Sequence, residues 1–162
     1  MSMVDPDNRR PVDYPFRAEM LEAVMADLAT DRRVAIRRYA KAWRDGRIKL
    51  AAIATILGYR REHAALFENG DYEPLKTEGP NAEQICAFLR CRGEEVLLFA
   101  ISRFPARLEA AGVAAETMVR IPEALHRTRW YDVLSGLEYS PTSCLDAREM
   151  FSVLPAAALV PA

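Results

Sequence analysis

Histidine is nearly absent from this chain: His63 and His126 are the only two in 162 residues. A hydrolytic triad needs a poised imidazole, and so few make one hard to assemble. Both are expected to be surface or packing residues. The motifs G-x-S-x-G, G-x-x-x-x-G-K-[ST] and G-x-G-x-x-G are all missing, which removes the usual signs of esterase, nucleotide and dinucleotide chemistry. Cysteine is also scarce. Cys86, Cys91 and Cys144 are an odd number set among apolar residues, so they read as reduced, buried thiols rather than a disulfide framework. They are too few, at unsuitable spacing, for a zinc site. No metal and no cofactor is expected. No apolar run approaches the ~18 residues of a membrane span. Asp5, Asp7 and Asn8 near the N-terminus do not make a signal peptide. The expected location is cytoplasmic, away from membranes. Paired acids occur at Asp5/Asp7 and Glu94/Glu95, but neighbours in sequence are not how a glycosidase assembles its two carboxyls. No catalytic residue is assigned.

Hydrophobic residues make up 51% and charged residues 28%, a globular balance sized for one domain or two small ones. The net charge of −1 hides an uneven distribution. Residues 30–63 hold ten Lys/Arg against three Asp/Glu, a net of +7, which leaves −8 for the remainder. Such a segment can face nucleic acid. Here the aromatics are not interleaved with the basic face, and no binding motif accompanies it, so no nucleic-acid partner is expected. A basic helical layer docked on an acidic neighbour, or a solvated face, accounts for it better.

Apolar periodicity divides the chain in two. Phe16, Met20, Ala23, Val24 and Leu28 form one helical stripe over residues 15–29, with Asp13 placed to cap it and Pro15 suited to its first turn. Thr30-Asp31 offers a fresh cap. Ile36, Tyr39, Ala40 and Trp43 form a second stripe, stopped at Asp45-Gly46. A third runs from Ile48 to Phe67 and stops at Asn69-Gly70. Beyond this seam the pattern is that of strands. Residues 72–75, 84–89, 95–101, 117–121, 129–134, 137–139 and 157–160 are candidates, with a helical turn at 146–151. Segments 84–89 and 95–101 are expected to pair across 90–94. The expected class is α+β: a polar loop at 1–14, about three helices over 15–69, and an antiparallel, sandwich-like β-domain over 70–162.

The opening is unlike anything else in the chain. Nine of the twelve residues in VDPDNRRPVDYP, 4–15, are Asp, Asn, Arg or Pro. Asp45-Gly46-Arg47-Ile48-Lys49-Leu50 and Leu66-Phe67-Glu68-Asn69-Gly70-Asp71-Tyr72-Glu73-Pro74-Leu75 follow. Then come Trp130-Tyr131-Asp132-Val133-Leu134-Ser135-Gly136 and Met150-Phe151-Ser152-Val153-Leu154-Pro155. Taken in series, these blocks resemble the C-terminal part of maltooligosyltrehalose synthases, trehalose-forming members of the α-amylase family (glycoside hydrolase family 13).

The resemblance implies that residues 4–13 are a sugar-contacting loop at the mouth of a (β/α)₈ barrel this sequence lacks. Asp5, Asp7, Asn8, Arg9, Arg10, Asp13 and Lys49 are the implied substrate-binding residues. It implies a parent reaction that converts the reducing-end α-1,4 linkage of a maltooligosaccharide to α,α-1,1, an isomerase activity. The barrel acids for it lie outside this sequence, so this chain alone is expected to be inert. Some positions depart from the family's pattern: Ala51 and Ala52 replace an aromatic, a Trp near Ala114 is missing, and Ser135 stands where a Thr is expected. The alternative is a non-catalytic module that binds α-glucan or maltooligosaccharide through Trp130 and Tyr131, or docks on a trehalose-pathway enzyme. A homodimer is also expected, through a patch of Phe16, Met20, Val24, Ile36 and Trp43.

Overall fold

The computed structural model of the chain describes residues 12–105 and 116–162. Helix α1 (Tyr14–Lys41) begins where Asp13 accepts a hydrogen bond from the Phe16 amide at 3.0 Å, with proline in its first turn. It is two helices in series. Asp31 leaves helical geometry (φ −155°, ψ 99°), and its carboxylate accepts from the Val34 amide at 3.0 Å, so it caps the second segment. Gly46, at φ 83°, then turns the chain into α2 (Arg47–Glu62). The third stripe does not form one helix. His63 interrupts it, and a short α3 (Ala64–Asn69) follows.

Nine strands follow among the described residues. They are β1 (Asp71–Pro74), β2 (Thr77–Glu78), β3 (Ile85–Arg92), β4 (Glu95–Ser102), β5 (Met118–Arg120), β6 (Trp130–Asp132), β7 (Glu138–Tyr139), β8 (Cys144–Asp146) and β9 (Ala156–Pro161). A four-residue helix, α4 (Ala147–Met150), precedes the last. One sheet has six strands in the order β1-β3-β4-β9-β6-β7, and a second has three in the order β2-β5-β8. Every pairing is antiparallel. The class is α+β, with helices first and antiparallel sheets second. Segments 84–89 and 95–101 do pair. The ladder runs on to Arg92 opposite Glu95, so the turn is only Gly93-Glu94, with Gly93 at φ 59°. Positive φ is where glycine costs least, which suits a two-residue hairpin.

The layers explain the sequence of β4, Glu-Val-Leu-Leu-Phe-Ala-Ile-Ser. Val96, Leu98 and Ala100 pack toward the small sheet with Trp130, Val119, Leu145 and Leu159. Leu97 packs toward the helices with Val24, Ile36, Leu66 and Ala158. A strand covered on both faces loses its polar alternation and reads as a continuous apolar run. Each fully buried large side chain here gains about 1.5–3 kcal/mol over exposure.

Three expectations change. Val24 and Ile36 are buried within the chain's own helix–sheet core, not on a free patch, while Phe16 and Trp43 remain about half exposed. The cysteines are free, but Cys86 is exposed and Cys91 and Cys144 are half-buried. Cys86 falls on the outward beat of β3, whose burial alternates along the strand. Trp130 is wholly buried in the sandwich and cannot stack on a ligand.

Candidate functional site

The basic helical segment is partly spent inside the molecule. Arg32 donates through one terminal nitrogen to the Val133 carbonyl at 2.9 Å and to the Thr55 hydroxyl at 3.1 Å. Its neighbour Arg33 donates to the Gly136 carbonyl and reaches Glu138 at 3.5 Å. These two arginines pin α1 to the turn after β6. The turn can accept them because residue 136 is glycine. Its φ is +75°, and a Cβ there would lie 3.1 Å from Cγ of Arg33. The sequence asymmetry is thus, in part, a layer docked on carbonyls and one acid.

Beside Arg32 lies a groove of about 280 Å³ between α1, α2 and β6. Arg32, Thr55, Tyr59, Arg61, Glu62 and Tyr131 bring polar and aromatic groups to it, and Gly58 leaves space, since a Cβ there would meet nothing within 4 Å. One wall is braced. Tyr59 stacks on the His63 ring at 4.1 Å between centroids, and His63 Nδ1 shares a hydrogen bond with Glu95 at 2.8 Å. Burial, and then the nearby Glu95, push the Tyr59 phenol above its ordinary value, so it is a neutral hydroxyl at physiological pH. The groove offers guanidinium and hydroxyl donors, a carboxylate acceptor and a ring. That set can bind a polyol or a small anion. Among the described residues that line it, no nucleophile is held against a base.

The carboxylates with identified partners are structural. Asp13, Asp31 and Asp146 cap helices. Asp27 holds both Arg38 and the Tyr39 hydroxyl. Its carboxyl lies below the ordinary value, chiefly because of the Tyr39 bond. Asp132 is the one buried acid among the described residues. It accepts from the Leu134 and Ala158 amides, each at 3.0 Å, and from the Ser135 hydroxyl. Burial raises its pKa and these bonds oppose the rise. The Trp-Tyr-Asp-Val-Leu-Ser-Gly block is therefore a folding device: it ties β6, its turn and β9 together. Ser135 keeps the hydroxyl that this role needs. His126 donates from Nε2 to the Ile121 carbonyl, 3.0 Å away. Among the described residues no three His, Cys, Asp or Glu side chains converge as a metal site.

Of the implied sugar-binding residues, Asp5, Asp7, Asn8, Arg9 and Arg10 lie outside the described residues. Asp13 is the exposed cap of α1, and Lys49 is exposed near the start of α2. The groove residues were missed in sequence because they come from three elements. Thr55 and Tyr59 looked like members of an apolar stripe, and nothing in sequence links either to Arg32 or Tyr131.

No protein-family model matches the chain. Two Mycobacterium tuberculosis proteins, from strains CDC 1551 and H37Rv and provisionally named maltooligosyl trehalose synthase, are each 35% identical over 159 residues. The alignment covers 98% of this chain and 17% of theirs. The solved maltooligosyltrehalose synthase of Arthrobacter ramosus superposes with a TM-score of 0.70 at 27% identity, over 99% of this chain and 18% of that one. A single-substitution variant of the same enzyme gives 0.71. The chain therefore matches a small part of a maltooligosyltrehalose synthase, and it spans about a sixth of its relatives' length.

Proposed function

We propose that this chain, which matches a small part of a maltooligosyltrehalose synthase, represents that enzyme's C-terminal, non-catalytic portion or a diverged relative of it. On this reading it supports a barrel that performs the α-1,4 to α,α-1,1 isomerisation, an α-amylase-family reaction, and does none of the chemistry itself. One observation carries the proposal: almost the whole chain aligns with about a sixth of proteins bearing that name. The acids agree with it. Retaining glycosyl transfer needs two carboxyls about 5 Å apart, one nucleophilic and one acid/base. The one buried carboxylate among the described residues, Asp132, has its oxygens engaged by three donors. Free thiols at Cys86, Cys91 and Cys144 suit a reducing, cytoplasmic setting. Purified chain incubated with maltopentaose should yield neither the trehalose-ended isomer nor glucose. Turnover that persists through purification would overturn the proposal.

A second reading rests on the α1–α2–β6 groove. Tyr131 offers a partly exposed ring beside Arg32 and Glu62, groups that can stack on and hydrogen-bond a sugar. The chain would then also hold α-glucan. Native gels containing glycogen should retard it and DNA should not, and Tyr131→Ala should remove the retardation. Mobility unchanged by glycogen would reject this reading and leave the first intact.

A further inference from the structure

Arg32 carries a charge that the chain does not answer. The residue is half-buried, and one terminal nitrogen makes both its bonds, to the neutral Val133 carbonyl and Thr55 hydroxyl. Among the described residues, its other terminal nitrogen and Nε have no hydrogen-bond partner, and no carboxylate pairs with it. Two neighbours in α1 are placed differently: Arg33 reaches Glu138 and Arg38 holds Asp27. Arg90, also half-buried, donates to the Leu66 and Phe67 carbonyls near the end of α3, where the helix supplies negative potential. Thr55 lies inside α2 and Val133 follows β6, so neither gives Arg32 a helix end. A cation drawn partly out of water is ordinarily paired. We propose that an anion entering the α1–α2–β6 groove supplies the missing charge, and that this ligand is the phosphate monoester of a small sugar.

Arg61 lines the same groove, exposed and without an ion pair among the described residues. Two guanidiniums suit the several acceptor oxygens of a phosphate. The Thr55 hydroxyl accepts from Arg32, which leaves its own proton to donate. Arg32 is already held by two bonds, so it loses little freedom when the anion arrives. The remaining groups suit more than a bare ion. Tyr131 brings a ring, Glu62 can accept from sugar hydroxyls, and Gly58 leaves space. At about 280 Å³ the groove falls just short of the ~300–1,000 Å³ usual for drug-sized ligands, which suits one or two rings. The inference shares this groove with the glucan reading but does not rest on it, because a neutral glucan leaves the Arg32 charge unanswered.

Calorimetric titration of the full chain with glucose 6-phosphate, glucose and inorganic phosphate tests it. The ester should bind one per chain, about tenfold or more tighter than either of its parts. No saturable binding of the ester up to about 10 mM overturns the proposal. Glucose binding as tightly as the ester refutes the role of the charge, and inorganic phosphate doing so refutes the role of the sugar. Arg61→Met should weaken the ester about tenfold. Gly58→Leu fills the groove and should abolish binding. Both should keep the far-ultraviolet spectrum, since Arg61 is exposed and a Cβ on Gly58 meets nothing within 4 Å. Arg60→Met removes the same charge one residue away, outside the groove, and should leave the affinity unchanged. Equal losses at 60 and 61 would mean general attraction to a basic helix and would overturn the site. Arg32→Gln keeps a donor but loses the charge, and should weaken the ester at least as much as Arg61→Met. Should it unfold the chain, the variants at 58, 60 and 61 decide. Glycogen retardation without ester binding would sustain the glucan reading and reject this one.

Discussion

Replacing Asp132 with alanine is expected to cost about 3–5 kcal/mol of folding stability. Three donors lose their acceptor at once: the Leu134 and Ala158 amides and the Ser135 hydroxyl. A buried donor left unsatisfied costs about 1–3 kcal/mol. Part of that sum is returned, because the carboxylate's own desolvation, the leading cause of its raised pKa, disappears with it. At about 2–4 °C per kcal/mol for a chain this size, the melting temperature should fall by roughly 6–20 °C. Asp132→Asn is the control. Its carbonyl oxygen can still take both amides, and its amide nitrogen can donate to Ser135 in place of accepting. The expected loss is about 1–2 kcal/mol. Urea unfolding followed by Trp130 fluorescence reports the same region, since Trp130 is buried two residues away. The pH dependence separates charge from geometry. The native carboxyl holds its proton more tightly than the unfolded one, whose ordinary value is 3.8. Its contribution to stability should therefore decline as pH rises from near 3.8 toward the raised native value, then level off. Asp132→Asn should remove that decline. An alanine variant within about 1 kcal/mol of the parent would refute the idea that this network ties β6 to β9.

Two further outcomes follow from the same structure. Arg120 and Lys76 hold Glu78 between them, at 2.6 and 2.9 Å, and pull its pKa from 4.5 to about 2. This contribution is present above 4.5 and is lost as pH falls toward 2, so Arg120→Met should reduce the acid-side slope of an acid-unfolding curve. The glycines should divide by location. Gly58→Ala fills open space inside α2 and should stabilise the chain by about 0.5–1 kcal/mol. Gly136→Ala meets both a positive φ and the Arg33 side chain, and should destabilise it by about 1–3 kcal/mol in thermal melts.

What could be read from sequence was whatever is local and repeated. The β3–β4 hairpin declared itself through two apolar runs and a glycine between them. The helix break at Asp31 was visible as a cap. The strands that escaped notice, Thr77–Glu78 and Cys144–Asp146, are two and three residues long. They exist because β5 lies between them, which is a non-local cause. The single-residue break at His63 was hidden because the apolar stripe continues across it to Phe67. The same stripe logic gave Val24 and Phe16 equal standing, yet one is buried and the other half exposed. Periodicity names a face without naming what covers it. The groove was illegible for a further reason. Arg32 is 101 residues from the carbonyl that anchors it, and only the folded sheet brings them together.

The position of β9 has a consequence for how the chain is made. It is the last strand in sequence, yet it lies between β4 and β6 at the centre of the large sheet. Until residues 156–161 leave the ribosome, β1-β3-β4 and β6-β7 are two separate pieces with no shared ladder. Leu98, Phe99, Ala100 and Ile101 then present an unpaired apolar edge, which β9 later closes through Leu159, Ala158, Ala157 and Ala156. An unpaired edge of that kind recruits other strands. The nascent chain is thus most prone to aggregate immediately before that strand emerges.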